Sequence, residues 1–313
     1  MVDNRQQWKA WLYLSPAIVL LLVFTVWPII NTVMMAFQDG YSANAAAGGE
    51  TFSFGFANFE KVLGYKRFLR YLGTTMLLTV TTVPLSTLLA LLIAVALNSI
   101  KWLRKGLQTI FFLPYVTNSI AIGMVFATMF NAIGLSPDGT SADSWGIINN
   151  VLMFFGLDPV NWTGAGSEYF HNIIVMIVYI VWNALPFKIL VLLGGLQSVN
   201  KQYYEAARVD GTSRTRVFTR ITVPLLSPMI AYVVITGFIG GFKEYSSIIG
   251  IFGETMSPPG ELPGVLGTMV GFVYDALETN QHGTASAAAL VLFAIILVVT
   301  MINLRVSKKR VHY

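Results

Sequence analysis

Six stretches of this chain are apolar for about the twenty residues that a helix needs to cross the hydrocarbon core of a bilayer. They fall at residues 11–37, 72–97, 107–130, 173–196, 225–251 and 285–304. Lipid offers no water to pair backbone N–H and C=O groups, so such stretches must be helices that satisfy those groups internally. They predict an all-α integral membrane protein of about six transmembrane helices, a single domain over residues 1–313. Only 11% of the residues are charged, against roughly a quarter in a soluble domain. A buried core alone does not explain that deficit; the surface itself must face lipid. The first stretch exceeds a signal-peptide core and lacks a clear cleavage site, which predicts a retained anchor.

Lysine and arginine set the orientation. With the N-terminus inside, fourteen of the twenty are cytoplasmic, Lys188 and Lys243 lie within spans, and Lys61, Lys66, Arg67 and Arg70 lie outside. The outer segments are then 38–71, 131–171 and 252–284, and the last two contain no Lys or Arg. Both termini are predicted to be cytoplasmic. The four outer cations cluster in 58–71 beside Phe59, Leu63 and Phe68, a mixture that suits an amphipathic helix on the outer membrane surface, with a solvated loop as the alternative. Residues 262–276 are apolar but too short to cross, and read as an interfacial or re-entrant helix.

Chemistry-bearing motifs are scarce. There is no cysteine, and the Gly-Lys dipeptide of a phosphate-binding loop does not occur. His171, His282 and His312 are isolated, and no serine sits in a Gly-x-Ser-x-Gly elbow. An enzyme or a bound cofactor is therefore disfavoured. Nucleic acid is no expected partner either, because the basic residues flank apolar spans.

The cytoplasmic segment 200–224 is polar and carries the most information. It predicts two short helices with a sharp turn between them. The first, over 201–209, contains Ala206 and Ala207, strong helix formers that permit close approach. Asp210-Gly211 ends it, since glycine tolerates the left-handed conformation. Thr212 or Ser213 can cap the second, on which Phe218 and Ile221 share a face. A plain linking hairpin, with Glu205 and Arg208 paired at i, i+3, fits the residues equally well.

The pattern Glu205-Ala206-Ala207, then Asp210-Gly211, then Ile221-x-Val223-Pro224 resembles the loop of permease subunits in bacterial binding-protein-dependent ABC importers. Thr212 and Val223 depart mildly from the usual Gly-Ala after Asp and Leu before Pro. Leu14-Ser-Pro-Ala, Trp27-Pro28, Phe111-Phe-Leu-Pro-Tyr, Gly195-Leu-Gln-Ser and Gly283-Thr-Ala-Ser-Ala extend the resemblance to sugar-uptake permeases of the maltose-transporter type over nearly the whole chain. The resemblance implies a bacterial cytoplasmic-membrane subunit that carries a sugar or oligosaccharide. It implies four partners: a second, similar permease, two ATP-binding cassette ATPases, and an extracytoplasmic sugar-binding protein. Glu205, Ala206, Ala207, Asp210, Gly211 and Pro224 would then form the coupling helix and its turn, docking in an ATPase cleft.

Charges inside spans cost roughly 2.5–3.5 kcal/mol or more each at a helix centre and mark functional candidates. Asn183, Lys243, Glu244 and Tyr245 combine hydrogen-bonding and aromatic groups suited to a sugar path. Interhelical pairing is the alternative for Lys188 and Lys243. Gly237 and Gly241, with Gly194-Gly195, fit the small-residue spacing of packed spans. The rival to an ATP-driven importer is an ion-gradient-driven secondary transporter, which usually carries internal repeats; none is clear here.

Overall fold

The computed structural model describes residues 7–41, 52–100, 106, 109–110, 113, 115–133, 141–164, 166–253 and 266–310. The cations of 101–105 and most of the Phe111–Tyr115 motif lie outside these residues. Four described helices are long and apolar enough to cross a membrane: α1 (Trp8–Ala36), α3 (Phe68–Ser99), α6 (Tyr169–Ser198) and α12 (His282–Arg310). A fifth crossing follows if the bent pair α8 (Arg214–Leu225) and α9 (Ser227–Gly241) counts as one. The third expected span is described chiefly as the short apolar helix α4 (Ser119–Phe130). The remaining helices are α2 (Ala57–Leu63), α5 (Ile147–Phe154), α7 (Gln202–Val209), α10 (Ser246–Phe252) and α11 (Met269–Glu278). Two short antiparallel pairs join them: β1 (Gln38–Asp39) with β2 (Ser53–Phe54), and β3 (Ala132–Ile133) with β4 (Ser144–Trp145).

Three expectations about boundaries change. The expected span at 225–251 is not continuous: α8 and α9 meet at a bend of 67°, and the chain breaks again between Gly241 and Ser246. Proline is the cause at the first break. Pro224 and Pro228 lack an N–H and crowd the carbonyl four residues back. The helix answers by widening into a π turn at Phe218–Thr222, two residues before Pro224. The same happens in α1, where a π turn at Leu22–Val26 precedes Pro28 by two residues. The expected surface helix at 58–71 is the short α2, and α3 starts by Phe68 rather than 72. The helix expected at 262–276 is α11, shifted toward the C-terminus, with 262–265 outside the described residues.

The chain divides into two compact units, one of residues 1–68 with 272–293, the other of 69–271 with 294–313. In the first, the buried Asn58 of α2 donates through Nδ2 to the carbonyls of Ala36 (3.3 Å) and Gln38 (3.0 Å) and accepts from Thr284 Oγ1 (3.5 Å). One amide thereby ties the end of α1, the strand after it and the start of α12. Phe37 packs against Phe56 and Phe59 at 5.4 and 5.1 Å between ring centroids. None of the most apolar window of α1 is buried within the chain, so this helix must be covered by lipid or by another chain.

The second unit holds two apolar clusters. Leu78, Phe126, Met176, Tyr179, Ile248 and their neighbours form one; Leu91, Ala94, Leu192, Leu193, Leu226 and Val233 belong to the other. In the first cluster α4 and α10 cross backbone to backbone. A Cβ at Gly123 would lie 2.8 Å from Gly250 Cα, and one at Gly250 would lie 2.6 Å from the Ile120 carbonyl oxygen. The small-residue packing expected elsewhere is present at Gly237 and Gly241, which face Val83 and Thr79, and at Gly195, which faces Met229 and Leu226. Gly194 faces open space. Helix α3 buries a stripe of hydroxyls, Thr75, Thr79, Thr82, Ser86 and Thr87, each donating to the carbonyl four residues back.

Candidate functional site

The hairpin 200–225 forms as the sequence suggests, and hydrogen bonds explain its turn. Helix α7 stops because Gly211 takes φ +64°. The Thr212 N–H then reaches the Ala207 carbonyl (2.9 Å) and the Gly211 N–H reaches Arg208 (3.2 Å). This is a Schellman closure, and it pairs carbonyls that a helix end otherwise leaves open. Ser213 stands at the N-cap of α8 without a side-chain capping bond. Tyr204 and Thr222 hydroxyls meet at 3.4 Å and brace the two arms. Ala207 is buried, whereas Glu205, Ala206 and Asp210 are exposed. Val209, 89% exposed, and Tyr203 are apolar or aromatic side chains that α7 also leaves uncovered. Pro224 lies in the last turn of α8, where it contributes to the π turn. The hairpin thus presents an exposed helix with a rigid end and an apolar residue at its tip.

In the second unit a half-open cavity of about 410 Å³ lies between α3, α6 and α9. Its wall is apolar except for a few groups: Tyr115, then Tyr179, Asn183 and Lys188 of α6, Thr82 and Ser86 of α3, Thr236 of α9, and Glu244 from the break after α9. Tyr179 donates to the Ser119 carbonyl (3.0 Å), and Asn183 Nδ2 lies 3.5 Å from the Tyr179 hydroxyl. Glu244 accepts from the Ser247 hydroxyl and backbone N–H at the first turn of α10. At the wall contributed by Tyr115 and Phe187, the two rings stack at 5.8 Å with 16° between planes. Of the four path candidates, Asn183 and Glu244 share this cavity. Lys243 is exposed and outside the lining, and Tyr245 packs against the first apolar cluster. Lys188 donates three hydrogen bonds to α3.

A family model described as "binding-protein-dependent transport system inner membrane component" matches residues 86–313, which include the hairpin and nearly all of the cavity wall. The chain belongs to that family. It is a permease subunit of an ABC transporter, a multi-pass component of the inner membrane. The arabinooligosaccharides transport system permease protein AraP of Bacillus subtilis (strain 168) is 31% identical over 301 residues, 95% of this chain and 88% of that protein. The trehalose/maltose transport system permease protein MalF of Thermococcus litoralis is 28% identical over 306 residues, 98% of this chain and 96% of that protein. Among solved structures, the permease matches a chain of the bacterial alginate ABC transporter in complex with alginate pentasaccharide-bound periplasmic protein. That match has a TM-score of 0.78 and 25% identity, and covers 98% of this chain and 96% of the other.

Tyr115, Tyr179, Phe187, Thr82 and Ser86 line the permease cavity in addition to the candidates that the sequence offers. A signal for part of this set was present. Tyr179, Asn183 and Phe187 recur at i, i+4 and therefore share one face of α6. Nothing in local spacing tells that this face opens on a cavity rather than on another helix.

Proposed function

We propose that this permease forms half of the translocation path of an ATP-driven importer of a sugar or oligosaccharide. The observation that carries the reading is the cavity: hydrogen-bonding groups and a stacked aromatic pair gathered inside otherwise apolar spans. Polyhydroxyl ligands bind through such a combination of a few placed polar groups and ring faces. Asn183 and Glu244 would bond to sugar hydroxyls, with Tyr115 and Phe187 offering ring faces. Lys243 and Tyr245 would serve the break between α9 and α10. The named cargoes of relatives, arabinooligosaccharides and trehalose or maltose, agree with a saccharide.

In this reading Glu205, Ala206, Ala207, Asp210 and Gly211 dock in a cleft of an ATPase subunit, and Pro224 fixes the angle at which the docked arm meets its span. The full assembly comprises a second, homologous permease, two ATPases and an external sugar-binding protein, with both termini of this chain in the cytoplasm. ATP binding draws the coupling helices together and shifts the spans between inward-open and outward-open states. The loaded binding protein biases that equilibrium through its different affinity for the two states.

The test is reconstitution of the co-purified complex in vesicles, followed by uptake of labelled oligosaccharides. Uptake should require ATP on the side of the hairpin and the binding protein on the opposite side. Uptake that proceeds without ATP and collapses with an ionophore would replace this reading with an ion-coupled transporter.

A further inference from the structure

Lys188 is the one buried cation among the described residues, 4% exposed in the middle of an apolar span. A charge in such a place is costly unless it is held by polar partners. Among the described residues, no carboxylate pairs with it. Its ammonium donates instead to the Val83 carbonyl (3.1 Å), Ser86 Oγ (2.7 Å) and Thr87 Oγ1 (3.0 Å). An ammonium has three protons, so this set is complete and leaves none for a sugar hydroxyl. All three acceptors lie on α3. Two of them are prepared for the role: Ser86 Oγ donates to the Thr82 carbonyl and Thr87 Oγ1 to the Val83 carbonyl, which turns their lone pairs outward.

The adjoining contact of α3, with α9, is built differently. A Cβ at Gly237 would meet Val83 Cγ1 at 3.1 Å and Lys188 Nζ at 3.3 Å, and one at Gly241 would meet Thr79 Cγ2 at 2.9 Å. The Thr79 hydroxyl is committed to its own helix, at the Thr75 carbonyl (2.7 Å). At these two glycines α9 therefore rests on α3 through van der Waals contact alone.

We propose that Lys188 is a positioning residue that binds α3 and α6 into one wall of the path, against which α9 moves during transport. The assignment rests on the importer reading. Parting α3 from α6 would take from the cation all three acceptors that hold it. Displacing α9 exchanges one set of van der Waals contacts for another, at its glycine face on α3 and at Met229 and Val233 on α6.

Two experiments on the assembled complex test this. The first compares initial uptake rates of Lys188→Met, of Ser86→Ala with Thr87→Val, and of all three changes together. A positioning role leaves KM within about twofold of the parent and lowers Vmax about tenfold in each, the signature of an effect on the turning-over states rather than on sugar binding. The triple variant should be no worse than Lys188→Met, because both changes remove one shared interaction. Lys188→Arg, which keeps charge and donors, should regain most of the lost Vmax. A KM raised about tenfold with Vmax intact would make Lys188 a sugar ligand and overturn the assignment. So would a parental rate in the hydroxyl variant.

The second experiment uses the absence of cysteine from the chain. A Cβ at Gly241 lies 3.3 Å from Thr79 Cβ, near the roughly 3.8 Å typical of a disulfide. Thr79→Cys with Gly241→Cys should oxidise readily, lose transport when oxidised and recover it on reduction. An oxidised complex that transports at the reduced rate shows that α9 does not move against α3, and overturns the proposal even if the Lys188 variants misassemble. A parent complex without ATP-dependent uptake overturns the importer reading and this assignment with it. A parent that transports while the crosslink or kinetics deviate overturns this assignment alone.

Discussion

The crossing of α4 over α10 provides a severe test of the packing described above. Gly123→Ala would place a methyl 2.8 Å from Gly250 Cα, 2.9 Å from its carbonyl carbon and 3.2 Å from the Ile251 nitrogen. Every one of these is a backbone atom, so no side-chain rotation relieves the overlap. Ordinary carbon contacts lie at about 3.5–4.0 Å, so the helices must part by roughly 1 Å. A gap of that size forfeits a quarter to a half of each dispersion well along the seam, which here includes Ile122, Phe126, Ile248 and Ile251. Overpacking of this kind typically costs 1–3 kcal/mol, and rigid walls on both sides put Gly123→Ala near the top, at about 3 kcal/mol. At roughly 2–4 °C per kcal/mol, the melting temperature of the purified complex should fall by about 6–12 °C. Gly194→Ala is the control: it sits within α6 with nothing within 4 Å, and should hold or raise the melting temperature through helix propensity. Thermal denaturation followed by fluorescence-detected size exclusion reads both. Equal melting temperatures for the two variants would refute the backbone contact. Because Gly123 and Gly250 face each other, the double alanine variant should lose less than the sum of the singles.

Other consequences are open to direct measurement. Gly211→Val forces a β-branched residue into the left-handed region at a cost of about 1–2 kcal/mol or more, so ATPase recovery on co-purification should drop, whereas Gly211→Asn should keep most of it. Asn58→Ala removes the donor bonds to the Ala36 and Gln38 carbonyls, of which the second keeps the Tyr41 N–H; the loss should cost about 1–3 kcal/mol and speed proteolysis in the 1–68 unit, and unchanged cleavage would deny the staple its role. Asp275, in α11, has its carboxyl pushed up from 3.8 to about 6, by burial first and the neighbouring Glu278 second. The folded chain thus favours the protonated acid, a contribution fully present below 3.8 and lost as pH rises through about 6. Melting temperatures of the parent should therefore fall relative to Asp275→Asn across that window, and parallel curves would rule the effect out.

How far the chain could be read from its residues depended on the range of the interactions. Helices α1, α3, α6 and α12 were legible because an uninterrupted apolar run has one solution in lipid. The turn at Gly211 was legible because its closure is local. The interruption of the fifth span was written in Pro224 and Pro228 but outweighed by the apolar run around them. The Gly123–Gly250 contact and the acceptors of Lys188 could not be read, since they join residues more than a hundred positions apart. For the same reason Asn183 stands out in the sequence as a candidate, while Tyr115 and Thr82, which reach its cavity from elsewhere in the chain, do not.

The hydroxyl stripe of α3 bears on the order in which the protein enters the membrane. Each of these hydroxyls finds its acceptor one turn back in the same helix, so α3 can be released into lipid by itself with its polar groups already quenched. Helix α6 has no such independence, because the three acceptors of Lys188 all belong to α3. During synthesis from the N-terminus, α3 is laid down before α6 leaves the ribosome. The receptor for the charged helix is thus waiting in the bilayer when that helix arrives, and a chain with these two spans exchanged would deliver a bare ammonium to lipid first.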